Sequence, residues 1–208
     1  MSPDVVKDLT PTGVLRAAIN MSNFLLVTGR AENGEPDGVS PDMARELAKR
    51  LGVELKLMQY KTPGEIADDA GTGTWDIGNI GAEPQRAEKI DFTAAYAEIQ
   101  ATYMVPPGSP LQSVGDVDKP GIRIAVSARS AYDLWLERNI KNAELVRTQG
   151  LDASFDGVIF IGYHAKAGDP DGFLAHTGTG SVKGLWLNDV EVGEGGMNAA
   201  FAGGHGVP

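Results

Sequence analysis

Cysteine is absent from the 208 residues, which excludes disulfides and thiol chemistry and leaves the redox compartment undecided. Positive charge is scarce as well. Eighteen Lys and Arg stand against 28 Asp and Glu, a formal charge of −10. Nucleic acid and anionic membranes reward a basic face, so neither is an expected partner. No apolar run in the chain approaches the roughly 18–20 residues that span a bilayer, and no membrane insertion is expected. The start, MSPDVVKDLTPTG, has neither the basic nor the apolar stretch of a signal peptide. Histidine is nearly missing. The three that exist, His164, His176 and His205, all lie within residues 156–208, together with 13 of the 27 glycines.

That confinement divides the chain. Before position 156 there are 16 basic and 22 acidic residues, and from it onward 2 and 6, so neither part is basic. The front has the make-up of a small-molecule binding lobe. The rear has that of part of a metal site. Two unrelated pieces, neither complete, are expected to meet near residues 154–157.

Periodicity gives the front an α/β pattern. Residues 1–13 read as a loose polar leader, and Val14–Asn20 as a first strand. Residues 30–38, RAENGEPDG, suit a loop or hairpin. Ser40 before Pro41 suits an N-cap followed by proline at the first helical position. Met43, Ala44, Leu47, Ala48 and Leu51 follow at helical spacing, and Gly52 closes the helix. Residues 53–59 alternate as a strand, 63–70 suit a helix and 75–80 a short strand. Strand, helix, strand, helix, strand implies a parallel sheet, whose ligands gather at the carboxyl ends of the strands. Residues just after Asn20 and Ile80 are therefore the first places to look. Further on, 122–126 read as a strand, Ala131–Asn139 as a helix and 144–147 as a returning strand. In the rear, 158–163 (VIFIGY) read as a buried strand and 167–184 as irregular. Residues 184–192 suit a hairpin turning at Asn188-Asp189, and 193–203 a helix. The final GVP reads as cut where an apolar strand is due.

Four stretches of the front carry a family pattern: GVLRAAIN, GVSPDMARELAKRLGVELKLMQY, WDIGNIGAEPQRAEKIDFTAAY and LQSVGDVDKPGIRIAVSARSAYDLWL. In order and spacing, residues 13–155 resemble the extracellular solute-binding proteins of polar amino-acid ABC transporters. The resemblance implies two α/β lobes closing on a ligand: a leader at 1–12, a first lobe at 13–105 and a partial second lobe at 106–155. It implies an amino-acid-like solute, no cofactor for the binding lobe, a permease partner and a periplasmic location. The chain's own start offers no export signal, which leaves the cytoplasm open. The family's carboxylate-binding arginine falls on Arg86 in EPQRAEKIDF. A guanidinium fork suits a carboxylate and keeps its charge, whereas the plainer reading pairs Arg86 with Glu83 or Glu88 on a helix surface. Glu83 departs from the family, which more often has a small hydroxyl residue there. A carboxylate in that place would hold a ligand ammonium or neutralise Arg86. Arg129-Ser130 occupies the family's Gly-Thr position, where N–H groups and a hydroxyl would cradle an anion or Ser130 would simply cap a helix. Asn20, Asn23 and Phe24 follow the first strand and are candidates to line the cleft, with core packing the alternative for Phe24. Asp42 matches an acidic family position, but an acid at a helix start is favoured by the dipole alone.

Residues 156–208, through GYHAKAG, the AHT triplet and VGEGGMNAAFAG, resemble a fragment of the zinc D-aminopeptidases associated with dipeptide transport. By that resemblance His164 and Glu194 are metal ligands and His176 a catalytic-site histidine. Imidazole and carboxylate are ligand types of catalytic zinc, which activates a bound water. Spacing alone favours a pair of satisfied polar residues beside glycine-rich turns. The family's Asp-x-Glu pair and further histidine have no counterpart before residue 157, and His205 matches no ligand position.

The expected fold class is thus α/β: a periplasmic-binding-protein-like first lobe with a parallel-rich sheet, and an incomplete second lobe joined to a truncated peptidase fragment. The favoured reading is the solute-binding component of an importer and not an enzyme. Its alternative is an inactive zinc metallopeptidase fragment. In a third reading the fusion folds as one protein, with residues 158–163 adding a strand to the sheet begun at 122–126. A join inside a lobe speaks against it, since boundaries normally fall in exposed linkers.

Overall fold

A computed structural model describes residues 2–95, 97–99, 101–105, 109–149, 159–163, 185–186 and 197–203. The chain divides into two compact units, Met1–Ala97 with Asn198–Pro208, and Glu98–Met197.

The first unit opens with a helix rather than a loose leader: α1 spans Pro3–Leu9. Ser2 caps it, its side chain accepting from the Val5 N–H, and Pro3 has the fixed φ suited to the first turn. Val6 and Leu9 pack against the unit's core, the apolar pair a leader reading overlooks. Strand β1 is Val14–Asn20, as its pattern requires. Short strands β2 (Gly29–Arg30) and β3 (Pro36–Asp37) pair antiparallel, the hairpin option for residues 30–38. Helix α2 (Val39–Leu51), strand β4 (Glu54–Tyr60), helix α3 (Pro63–Asp68), strand β5 (Ile77–Gly81), helix α4 (Pro84–Ala87) and strand β6 (Asp91–Phe92) follow. Strands β4 and β5 both run parallel to β1.

Helix α2 begins one residue earlier than Ser40. Its N-cap is Gly38, at φ 128°, where a side chain's Cβ would lie 2.7 Å from the Leu26 carbonyl oxygen and 2.9 Å from the Thr28 nitrogen. Only glycine fits so strained and crowded a corner. Ser40 is instead a buried residue of the first turn, whose Oγ accepts from Asn79 Nδ2 at 2.8 Å. At the far end Gly52 adopts the left-handed conformation at φ 70° and closes the helix. The side chains of β1 alternate between two layers. Leu15, Ala17 and Ile19 pack with Ala44, Ala48 and Leu51 of α2. Ala18 packs with Ile66, Trp75 and Ile80, and the Trp75 indole donates to the Ile66 carbonyl at 3.1 Å.

Strand β7 (Ala97–Ile99) lies where the units divide. The second unit contains β8 (Ala101–Val105), β9 (Arg123–Ser127), α5 (Ala131–Asn139), β10 (Glu144–Thr148), β11 (Ile159–Tyr163) and β12 (Leu185–Trp186). Their order is β10-β9-β11-β8-β12, with β10 and β11 parallel to β9. Residue pairs Ile159↔Ile124 and Phe160↔Ala125 are the pairing that the integrated reading of the rear requires. Tyr103, Val105, Ile124, Val126, Tyr132 and Leu136 form the core.

The final strand corrects an expectation. Residues 193–203 suggest a helix, yet β13 (Met197–Gly203) is a strand antiparallel to β5 and β6. A buried β5 needs partners for its backbone groups on both sides, and that demand outweighs the high helix propensity of alanine and methionine, a local preference that tertiary pairing overrides. The turn expected at Asn188-Asp189 and the irregular 167–184 lie outside the described residues.

One pH effect arises in the second unit. The Asp118 carboxylate accepts from three successive backbone N–H groups, Lys141, Asn142 and Ala143, at 2.7–3.1 Å. The Ala143 and Asn142 N–H groups hold its pKa below the usual carboxylate range. Asp116 is pushed down to about 2, first by the Lys119 ammonium and then by the Ser113 hydroxyl. Both groups bind protons less readily folded than unfolded, so their stabilisation is fully present above pH of about 4. It is lost as pH falls from there toward about 2. Thermal unfolding of the second unit should therefore soften between those values, and Asp118→Asn should flatten the dependence. An unchanged acid profile in that variant would remove Asp118 from the explanation.

Candidate functional site

The carboxyl ends of β1 and β5 lie side by side, because β1 pairs parallel with β5 at Ala17↔Ile77 and Ala18↔Gly78. Asn20 and Gly81 therefore leave the same edge of the sheet, the edge at which such folds collect ligands. Both connections turn sharply there. Asn20 Oδ1 accepts from the Ser22 N–H and hydroxyl at 3.1 and 2.8 Å. Asn23 Oδ1 accepts from the Leu25 N–H at 3.2 Å, and the Asn23 carbonyl from Leu26 and Val27. These asparagines shape the loop with their side-chain oxygens, as such residues do in turns. Phe24 lies on that loop and is 36 % exposed, which rules out the core-packing alternative.

After β5 the chain runs Gly81-Ala82-Glu83 into the single turn of α4. Glu83 precedes Pro84 and is extended, at φ −140° and ψ 141°, as the proline ring demands. Arg86 is only 4 % exposed and Glu83 only 8 %. A pair on a helix surface is thereby excluded. The Arg86 Nη1 donates to the Gly81 carbonyl at 2.9 Å, and the Arg86 N–H to the Glu83 carbonyl at 2.9 Å. A buried guanidinium and a buried carboxyl residue thus sit three residues apart on one tight turn. Asp42 stands apart, exposed and paired with Arg45 at 2.9 Å, which agrees with its structural reading.

In the second unit, Arg129 is the one described non-glycine residue at positive φ, 59°. The left-handed region explains why a glycine suits that position elsewhere. Ser130 caps α5, its Oγ accepting from the Asp133 N–H at 3.2 Å. The Asp133 carboxylate, on a residue 3 % exposed, accepts from the Arg129 N–H at 2.7 Å and from Arg147 Nε at 2.8 Å. The chain's own carboxylate therefore occupies one of the N–H groups an anion would seek at this helix start. Asp133 was not singled out from the sequence. Its signal is the Ser130-x-x-Asp133 spacing, a relative of the capping box. Asn79 was missed too, although it is the only polar side chain in the strand IGNIG. Asp76, which binds Arg16 by two parallel contacts, was also passed over.

The zinc candidates His164, His176 and Glu194 lie outside the described residues, as does His205. Among the described residues no group of three or more His, Asp or Glu is arranged to hold a metal, and no helix is long and apolar enough to cross a membrane.

Comparison with known proteins finds both resemblances. A family model described as D-aminopeptidase matches residues 140–208, beginning within the second unit upstream of β10. The D-aminopeptidase of Bacillus subtilis (strain 168) is 45 % identical over 60 residues, 29 % of this chain and 22 % of that protein. The L-cystine-binding protein TcyJ of Escherichia coli (strain K12) is 28 % identical over 120 residues, 57 % of this chain and 45 % of that protein. The chain spans less than half the length of either relative. Among solved structures, a putative binding component of an ABC transporter from Wolinella succinogenes, complexed with lysine, aligns with a TM-score of 0.71 at 22 % identity. That alignment covers 95 % of this chain and 84 % of the other. The fold is therefore like that of the amino-acid-binding proteins of ABC transporters, and the rear of the chain is similar in sequence to a segment of the D-aminopeptidases.

Proposed function

We propose that the chain acts as a binding protein for a small amino-acid-like solute, serving an ABC importer outside the cytoplasmic membrane, and that it is not an enzyme. One observation carries this reading. Arg86 is buried at the carboxyl edge of the parallel sheet, with its guanidinium oriented by the Gly81 carbonyl. Burial lowers the local dielectric and strengthens a bidentate bond to a ligand carboxylate, which an arginine can form without losing its proton. Asn20, Asn23 and Phe24 border the same edge, and Phe24 offers an exposed ring to an apolar part of the solute. By resemblance, Arg129 and Ser130 are secondary ligand candidates within the second unit. The lobe needs no cofactor. Calorimetric titration with free amino acids tests the reading, and L-cystine and L-lysine belong in the panel because related proteins carry those names. Heat of binding with at least one amino acid supports it, and its absence across the panel refutes it.

A second reading rests on the 45 % identity to a D-aminopeptidase. His164 and Glu194 carry the ligand types of a zinc site, and by the same resemblance His176 is a catalytic-site histidine. Two protein ligands are fewer than the three a catalytic zinc uses. After dialysis the chain is expected to retain less than one zinc per molecule and to leave D-alanyl peptides intact. Stoichiometric zinc, with hydrolysis that disappears in His176→Ala, would instead make the rear the functional part.

A further inference from the structure

Strand β5 ends at Gly81, whose carbonyl receives the Arg86 guanidinium, and its pairing shows what fixes that end. With β1 it is registered only at Ile77 and Gly78. Its last residues are registered with β13 instead: Asn79↔Phe201, Ile80↔Ala200 and Gly81↔Ala199. Apart from β1 and β13, no described strand neighbours β5. Asn79 and Ile80 are buried, so their backbone groups depend on such partners. Strand β13 lies within residues 140–208, the stretch that matches the D-aminopeptidase family model. Its residues 198–203 nevertheless belong to the first unit, and the fold alignment to an ABC-transporter binding component covers 95 % of the chain. In sequence the rear is similar to a peptidase, while its described strands take places in the sheets of a binding-protein fold.

We propose that the D-aminopeptidase-like segment serves the binding edge, with β13 as a positioning strand. The backbone of Ala199 and Ala200 sets where Gly81 stands, and the Gly81 carbonyl sets the direction of Arg86 Nη1. The inference rests on Arg86 binding the ligand carboxylate. A guanidinium fork holds a carboxylate by two parallel bonds, so the bond is sensitive to the orientation of the fork. Such sites need support that keeps them within about 0.5 Å of the productive geometry. The β1 register stops short of Gly81, and β13 supplies the support beyond it. Residues similar to a hydrolase thereby work in recognition, through their backbone.

The test uses the full chain in two measurements. Amide hydrogen exchange of the wild type needs no ligand: residues 198–202 should be protected together with 79–81, as paired strands are. Free exchange at 198–202 beside a protected 79–81 would overturn the proposal. Calorimetry with L-lysine and L-cystine then compares Ala199→Pro and Ala200→Pro with Ala199→Gly and Ala200→Gly, below the melting temperature of each. Successive residues of a strand turn their N–H groups to opposite neighbours, so one of the two prolines removes a bond to β5. That variant should bind about 10-fold or more weakly than the wild type, whereas both glycine variants keep the N–H and should stay within about 3-fold. A strand that only stabilises the fold would lower the melting temperature and leave the affinity of the folded protein unchanged, and that result in both proline variants would overturn the proposal. Where a proline also abolishes exchange protection in β1 and β4 the variant is unfolded, and the wild-type exchange result decides. No heat from either amino acid with the wild type counts against the binding reading, while the exchange measurement still reports whether β13 holds β5.

Discussion

Replacing Arg86 with alanine is expected to weaken binding of the amino acid by roughly 100-fold, equivalent to about 3 kcal/mol, because a buried, charge-assisted bidentate bond is lost. The guanidinium also supports the fold, donating from Nη1 to the Gly81 carbonyl, a bond that contributes about 1 kcal/mol. Arg86→Lys keeps the charge but not the fork, so its affinity should fall between the two. Titration calorimetry alongside a thermal melt separates these effects. Equal affinity in wild type and Arg86→Ala would remove the arginine from the binding site.

Asp76→Ala should damage the fold, not the ligand site. Asp76 is 7 % exposed and receives the Arg16 backbone N–H at 2.8 Å, Arg16 Nε at 2.9 Å and Arg16 Nη2 at 2.5 Å. The same guanidinium also donates to the Gly73 carbonyl, which ties the approach to β5 onto β1. The hydrogen bond to Asp76 raises the Arg16 pKa, and a guanidinium keeps its charge even without that partner. Breaking the pair leaves the partly exposed Arg16 guanidinium without its carboxylate, at a cost of about 2–3 kcal/mol. For a chain of this length the melting temperature should drop by about 4–12 °C. Asp76→Asn retains an acceptor and should lose less. Hydrogen exchange confined to β1 and β5 would locate the effect. A drop under 2 °C in the alanine variant would mean that water replaces the carboxylate.

Local pattern made much of the first unit legible. The alternation of VLRAAIN, the heptad-like spacing before Leu51 and the Gly52 stop each correspond to an observed element. What escaped the pattern reading depended on distant partners. Gly38 displaces Ser40 as the cap because of where Leu26 and Thr28 pass, 10 to 12 residues earlier. Residues 197–203 form a strand because β5, more than 100 positions away, offers an edge to pair. The leader became a helix because Val6 and Leu9 find the core. At the site, Arg86 and the loop after β1 follow from family spacing together with the strand-end rule, whereas their burial does not. Nothing in EPQR tells a surface ion pair from an enclosed one; only the packing around α4 decides. Asp133 was hidden for a different reason, since an acid in a first turn looks like ordinary helix chemistry until its bond to the Arg129 N–H is seen.

The most direct test of amino-acid binding through Arg86 is a crystal structure of the full chain grown with whichever amino acid gives heat in calorimetry. The expected result is the ligand carboxylate within hydrogen-bond distance of both terminal nitrogens of Arg86, at the carboxyl ends of β1 and β5. A ligand bound elsewhere, with the Arg86 guanidinium making no contact to it, would contradict the assignment.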